Sequence, residues 1–515
     1  MKPFKSLVCF LTLVVICFSV PKDSKAEEQK LYQLIERGKT EIYHFRLAEA
    51  ISIFRQIQNE FSELPHGYFY EAFITAIYYS QDRTNVGLDS VLQRTIRVAI
   101  AKGESYRKQG NQPAEAAYYL GVSHGVLGIY HVLNSSYLKG YLHGRRAKNY
   151  LEEAVTIDSA YYDAYLGLGI FHYYTDLLPG VIKFFASILG FSGDRAQGIH
   201  EIEKTALQGQ YLKIEAEFAH GVIRYFLEGA YSSSLQTFLR LNRLYPENPA
   251  LLLLIGYHYR RFGQIEKAER YFNSVSDGYR EKLPQIIVMK YYNLGVCYYR
   301  LNDFEEAEKC FNRLMDKNLR KSPYYQAAIA FYKGILAGLK HDQVSADYYL
   351  GLIRYNQETQ YWYYISRIYS KSPFDEIMRD YIIAENHAYT FKTAQALTET
   401  EALLKTIDEN RYSVANPDLV FLIKDLEARL AYQQGQVLKS RQLFESFLTD
   451  LQKYDDDFQK AWIYISYARV LRELKDWEEA LKALKKAEVT NDEYTRLIIE
   501  REKYILKKSQ LNLRS

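Results

Sequence analysis

The stretch YYNLGVCYYRLNDFEEAEKCFNRL, residues 291–314, decides the fold. Tyr291, Leu294, Gly295 and Tyr298 recur at i, i+3, i+4 and i+7, which places them on one face of a helix. Asn302 and Asp303 break that helix, and Ala307 and Phe311 face back from a second one. Gly295 and Ala307 are small where the two backbones should cross closely, while Leu294 and Phe311 fill the remaining space. Such a hairpin cannot bury its apolar face alone and needs neighbours of the same kind.

Those neighbours are present. In LLLLIGYHYRRFGQIEKAERYF, residues 251–272, Leu252, Ile255, Gly256, Tyr259, Ala268 and Phe272 stand at the same offsets. Further upstream Ser234, Phe238 and Leu241 end a hairpin, with Pro246 and Pro249 as stops. Gly38 with Ala50 and Phe54, Gly334 with Ala346 and Leu350, Ala428 with Ser440 and Phe444, and Ala468 with Ala480 and Leu484 repeat the grammar. Two small residues lie twelve apart, and a large one follows four later.

These units resemble tetratricopeptide repeats, in which helix A carries Trp-Leu-Gly-Tyr and helix B carries Ala-Phe-Ala. Here Tyr291, Leu252 or Tyr464 replaces the tryptophan. The resemblance implies an all-α, right-handed superhelical solenoid. Helical patterning runs from residue 28 to 507, which leaves room for roughly a dozen hairpins. The best units are 249–282 and 288–321, inside a central block of 211–355. Looser helices fill 27–160 and 356–515, and a repeat with an insertion occupies 161–210.

Composition agrees with helices: 11 prolines and 27 glycines are few for 515 residues, so breakers are rare. An apolar fraction of 48% excludes a disordered chain. Residues 1–26 have the form of a secretory signal: Lys2 and Lys5, an uncharged apolar run from Leu7 to Val20, then Ser24-Lys25-Ala26 before the cut. Removing it takes away four lysines and Asp23, and lowers the formal charge from +4 to +1, which disfavours a nucleic-acid partner. The expected location is the periplasm or cell envelope of a Gram-negative bacterium. The mature chain keeps two cysteines, Cys297 and Cys310, thirteen apart on different helices and expected to remain unpaired.

Residues 164–206 carry a second, narrower pattern: Leu177-Leu178-Pro179, an apolar helix, and Gly190-Phe191-Ser192-Gly193-Asp194-Arg195. This is similar to a signature of the tetratricopeptide-repeat-39 and inclusion-body-clearance family of eukaryotes, whose members are associated with lipid-droplet and membrane-linked protein handling. The resemblance implies no catalytic residues. Asp194 is placed to cap the next helix. Val181, Phe184, Phe185 and Ile188 give helix 177–191 an apolar face, which either packs inside the solenoid or touches a membrane or an apolar client.

Catalytic motifs fail on necessary residues. The phosphate-loop pattern at Gly38-Lys39-Thr40 has Gln33 where glycine is required, and His200-Glu201 has Lys204 where a zinc protease needs histidine. Asp194 occupies the last glycine of a nucleophile elbow, and Gly167 and Gly169 lack a third glycine because position 172 is His172. No cofactor or metal is expected, nor an enzyme. His124 and His172 occupy helix-A slots filled elsewhere by Tyr259 and Tyr298, so they read as packing residues, with a small-molecule or catalytic site around them as an alternative. The family resemblance places the groove at Leu253, Tyr257, Arg260, Arg261, Tyr292, Val296, Tyr299 and Arg300. Tyrosine and arginine suit protein recognition, although tyrosines at this spacing also serve as core. The expected function is an exported, non-enzymatic scaffold binding proteins or extended segments. A lipid-associated adaptor acting through helix 177–191 is the alternative.

Overall fold

A computed structural model describes residues 25–83, 85–110, 112–177, 193–372, 374–409, 417–452, 454, 456–490 and 492–511. Among these residues there are 24 α-helices, a few short 3-10 and π segments, and no strand, so the chain is an all-α helical repeat. Two compact units divide at Leu252 and Leu253. Residues 1–24 of the expected signal segment lie outside the described residues, as do Val181, Phe184, Phe185 and Ile188 of the expected insertion helix. No described helix is long and apolar enough to cross a membrane.

The twelve-residue rule has a backbone cause. In helix Pro284–Arg300, Gly295 is followed seven residues later by Asn302, which adopts a left-handed conformation at φ 62°. Asp303 N–H then donates back to Tyr298 O at 2.9 Å, closing a Schellman turn, and the Asp303 carboxylate caps helix Phe304–Arg313 by accepting from Glu306 N–H at 3.2 Å. Two helical turns, this fixed reversal and one more turn bring Ala307 opposite Gly295. The same i to i−5 bond follows the left-handed residues Phe45, Ser135, Gly263, His341, Phe391, Gly435 and Lys475. Two hairpins thereby obey the rule in addition to those read from sequence: Gly128 with Gly140, and Ala384 with Ala396.

Packing explains the small residues. A Cβ placed on Gly295 would lie 2.7 Å from Phe311 Cζ, and one on Gly256 would lie 2.4 Å from Phe272 Cε1. Both phenylalanines are fully buried, and each such side chain contributes about 2–3 kcal/mol by leaving water. Helix Lys213–Ile223 departs from the spacing. Gly221 packs on Phe238 in the same way, but the two are seventeen apart rather than sixteen. A single π turn at Arg224–Glu228 absorbs the extra residue, and Gly229 supplies the left-handed reversal at φ 68°.

Several other expectations are met. Asp194 caps helix Arg195–Gln208, accepting from Ala196 and Gln197 N–H at 2.8 and 3.0 Å. Gly169, dismissed as part of a dinucleotide motif, is a packing glycine: a side chain there would reach 2.6 Å from Gly198 O. Cys297 and Cys310 are buried free thiols whose ionisation burial pushes up to about 12 and about 11.

Candidate partner-binding groove

Within Leu253–Ser515, the first helices of successive hairpins turn their aromatic and charged residues toward one another. Tyr257 packs on Phe272 at 5.8 Å. The Asn293 amide donates to the Tyr257 hydroxyl at 3.4 Å and accepts from Arg260 at 2.7 Å. Tyr292 is surrounded by Phe311, Tyr325 and Tyr332, with ring centroids 5.3 to 6.4 Å apart. Tyr299 lies between Phe304 and Tyr332. Leu253, Tyr257, Tyr292, Val296 and Tyr299 are therefore buried, Arg260 and Arg300 half-buried, and Arg261 exposed.

Arg300 shows why so much of the expected groove is covered. Its guanidinium pairs with Glu385, donates to Asn386 Oδ1 at 2.9 Å and stacks over Tyr389 at 4.3 Å. Asn386 in turn donates to Tyr299 O and to Asn302 Oδ1, both at 2.8 Å, clamping the hairpin turn itself. These groups lie about 85 positions along the chain, on helix Glu376–Tyr389, with helices Pro323–Leu339, Gln343–Gly351 and Gln360–Ser370 between. A stack touching only its nearest neighbours would not make such contacts. Burial alone would raise the Glu385 carboxyl, but Arg300 and Arg429 beside it hold it below the usual carboxylate range. Arg429 is held by Asp425 at 2.6 Å.

The surface left partly open by this infolding is aromatic. Tyr324, Tyr325, Tyr361 and Tyr369 are half-buried, together with Trp462. Tyr361 joins Trp362, Phe458, Trp462 and Tyr494 at 5.1 to 6.1 Å. Burial drives the Tyr324, Tyr325, Tyr361 and Tyr369 phenols well above their ordinary range, so each stays a neutral hydroxyl able to donate and accept. Sequence reading missed these tyrosines and the polar partners Asn293, Glu385 and Asn386. The available signal was an asparagine or glutamate inside a helix face that is otherwise apolar, which marks a satisfied interior partner.

His124 and His172, read as alternative site residues, belong to different contacts. His172 Nδ1 meets Glu201 at 2.7 Å, which satisfies it as a buried packing residue. His124 faces His143, with their Nδ1 atoms 3.0 Å apart. No group of described residues has the make-up of a metal site.

Comparison with known proteins agrees with the repeat reading. Residues 143–347 match the model of the Iml2/Tetratricopeptide repeat protein 39 family. No curated protein matches the chain. Among solved structures, PilF of Pseudomonas aeruginosa is 16% identical, with 47% of this chain and 91% of that one covered and a TM-score of 0.33. A tetratricopeptide repeat protein from Parabacteroides merdae is 17% identical over 56% of this chain and 98% of that one, with a TM-score of 0.25. Yeast Tom70 is 13% identical over 95% and 97%, with a TM-score of 0.30. The helical-repeat fold is one typical of protein-interaction scaffolds.

Proposed function

We propose that the chain is an exported, non-enzymatic scaffold that holds an extended segment of another protein against the half-buried tyrosines of its second unit. The observation that carries this reading is the group Tyr324, Tyr325, Tyr361 and Tyr369, half-buried aromatic rings, with the half-buried Arg260 acting on Tyr324 and Tyr325. Tyrosine and arginine dominate binding energy at protein interfaces because they offer large area and directed hydrogen bonds at low entropic cost. The buried residues Tyr257, Tyr292 and Tyr299 shape that surface from beneath. In this reading the mature chain works in the cell envelope of a Gram-negative bacterium, which the tripartite form of residues 1–26 supports.

Photo-crosslinking tests the proposal. A benzoylphenylalanine at Tyr324 or Tyr361, with the same group at the exposed Tyr348 as control, is activated in intact cells. One defined protein captured from Tyr324 and Tyr361 but not from Tyr348 is the expected result. Equal capture from all three positions, or capture from Tyr348 alone, would overturn it.

A further inference from the structure

The first unit contains a histidine-lined pocket independent of the tyrosine group. Helices Pro113–Leu133 and Tyr137–Ile157 approach closely because glycines face one another where they cross: a Cβ on Gly128 would sit 3.2 Å from Gly144 N and 3.3 Å from Gly140 O. This approach brings His124 and His131 of one helix against His143 of the other. Helix Val86–Gln109 closes the third side, leaving a cavity of about 460 Å³.

Its walls have two characters. Three fixed cations, Arg97, Lys139 and Arg146, face it against one carboxylate, Glu104, leaving an excess of two positive charges. Lys139 and Arg146 are exposed and form no ion pair with any described carboxylate, and Arg97 bonds only the neutral Gln93, at 3.0 Å. The histidine pair adds a neutral donor. With the two Nδ1 atoms 3.0 Å apart, one carries the hydrogen and the other the lone pair, so the accepting ring must bear its proton on Nε2. Burial, the facing histidine and Arg146 hold His124 at about 4, so the pair stays uncharged at neutral pH. The floor is apolar, formed by Ile100, Ala101 and Leu127, with the Tyr130 ring beside it.

We propose that this pocket binds a phosphomonoester dianion attached to an apolar or aromatic body. Two guanidiniums and an ammonium supply the charge and the hydrogen-bond donors that a phosphate dianion needs, while the apolar floor takes the body. Surplus cations around a histidine pair would repel a metal ion, whereas a dianion neutralises them. The same phosphomonoester could be offered by a free metabolite or by a lipid headgroup.

The test is calorimetric titration of the full mature chain with 1-naphthyl phosphate, 1-naphthol and inorganic phosphate, alongside flotation with phosphatidylcholine vesicles with or without phosphatidic acid. One molecule of 1-naphthyl phosphate is expected to bind per chain, with 1-naphthol at least tenfold weaker. The variants Arg146→Gln and Lys139→Gln, on an exposed helix face, should each lower affinity about tenfold without changing the circular dichroism spectrum. Flotation with phosphatidic acid that is lost in those variants assigns the source as a lipid. Binding of 1-naphthyl phosphate without flotation assigns a free ligand. No binding of either probe, equal affinity for 1-naphthol, or unchanged affinity in both variants would overturn the proposal.

Discussion

Arg300 was expected to meet a partner, and its geometry makes it an internal tie between repeats far apart in sequence. The perturbation that isolates this role is a double-mutant cycle of Arg300→Met and Glu385→Leu. Methionine keeps an unbranched apolar stem at the position and removes the charge together with the guanidinium's contact to Tyr389. Breaking one side of a buried pair costs about 3–5 kcal/mol, because the other charge is left without its counterion. The two side chains keep 18% and 25% exposure, and Arg429 still attracts Glu385, so about 2–3 kcal/mol is expected for Arg300→Met. The double variant removes both charges and should return to within about 1 kcal/mol of the parent. Urea unfolding followed by tryptophan fluorescence reads this directly, since Trp362, Trp462 and Trp477 all lie in the second unit. A loss below about 1 kcal/mol for Arg300→Met, or a double variant as unstable as the sum of the singles, would refute the tie.

Three other outcomes follow from the same geometry. His341→Gly and Lys475→Gly, exposed residues at φ 62° and 61°, should each stabilise the chain by about 0.5–1 kcal/mol in thermal unfolding, because glycine relieves the left-handed strain. Gly295→Val should cost about 2–3 kcal/mol by driving a branched side chain into the Phe311 ring, and Phe311→Leu in the same chain should recover part of it, read from the shift in urea midpoint. His258 is fully buried, and burial holds it at about 4. The unfolded chain therefore takes up a proton near pH 6.5 that the folded chain refuses until about pH 4, and stability falls as pH drops through that window. The lost contribution is up to about 3 kcal/mol. His258→Gln should flatten the stability profile between pH 6.5 and 4 relative to the parent, and an unchanged slope would contradict it.

The hairpins were legible because their geometry quantises the sequence. Two helical turns, a Schellman reversal and one further turn always total twelve residues, so any pair of small residues at that spacing can mark a crossing. Of the hairpin that Ser234 and Phe238 end, the first-helix glycine Gly221 escaped because the π turn at Arg224–Glu228 lengthens the connection by one residue and moves both out of step with it. Gly128 and Gly140 obey the spacing but lack a large residue at the next position, since Gly144 stands there and faces a third helix as glycine. A pattern that asks for phenylalanine or leucine after the second small residue passes over this close glycine crossing, and with it the histidine cluster that the crossing assembles.

The groove was legible only in part, for a reason rooted in how repeats are read. A spacing rule describes each hairpin against its neighbours, so it assigns an inward-pointing residue to open surface whenever no neighbour covers it. Here the covering groups come from helix Glu376–Tyr389, reached only by the curvature of the stack, which no local pattern encodes. Asn293 and Asn386 were the residues that could have revealed it. Each sits within a helix where asparagine lowers helical propensity and each is buried; Asn293 accepts from Arg260 of the preceding hairpin, while Asn386 donates to Tyr299 O 87 positions back. An asparagine kept at such a position implies a specific polar partner on the inner face. In the proposed reading a partner meets the half-buried aromatic rings of helices Pro323–Leu339 and Gln360–Ser370, whereas Arg300, which sequence alone put forward, is occupied by Glu385 and Asn386.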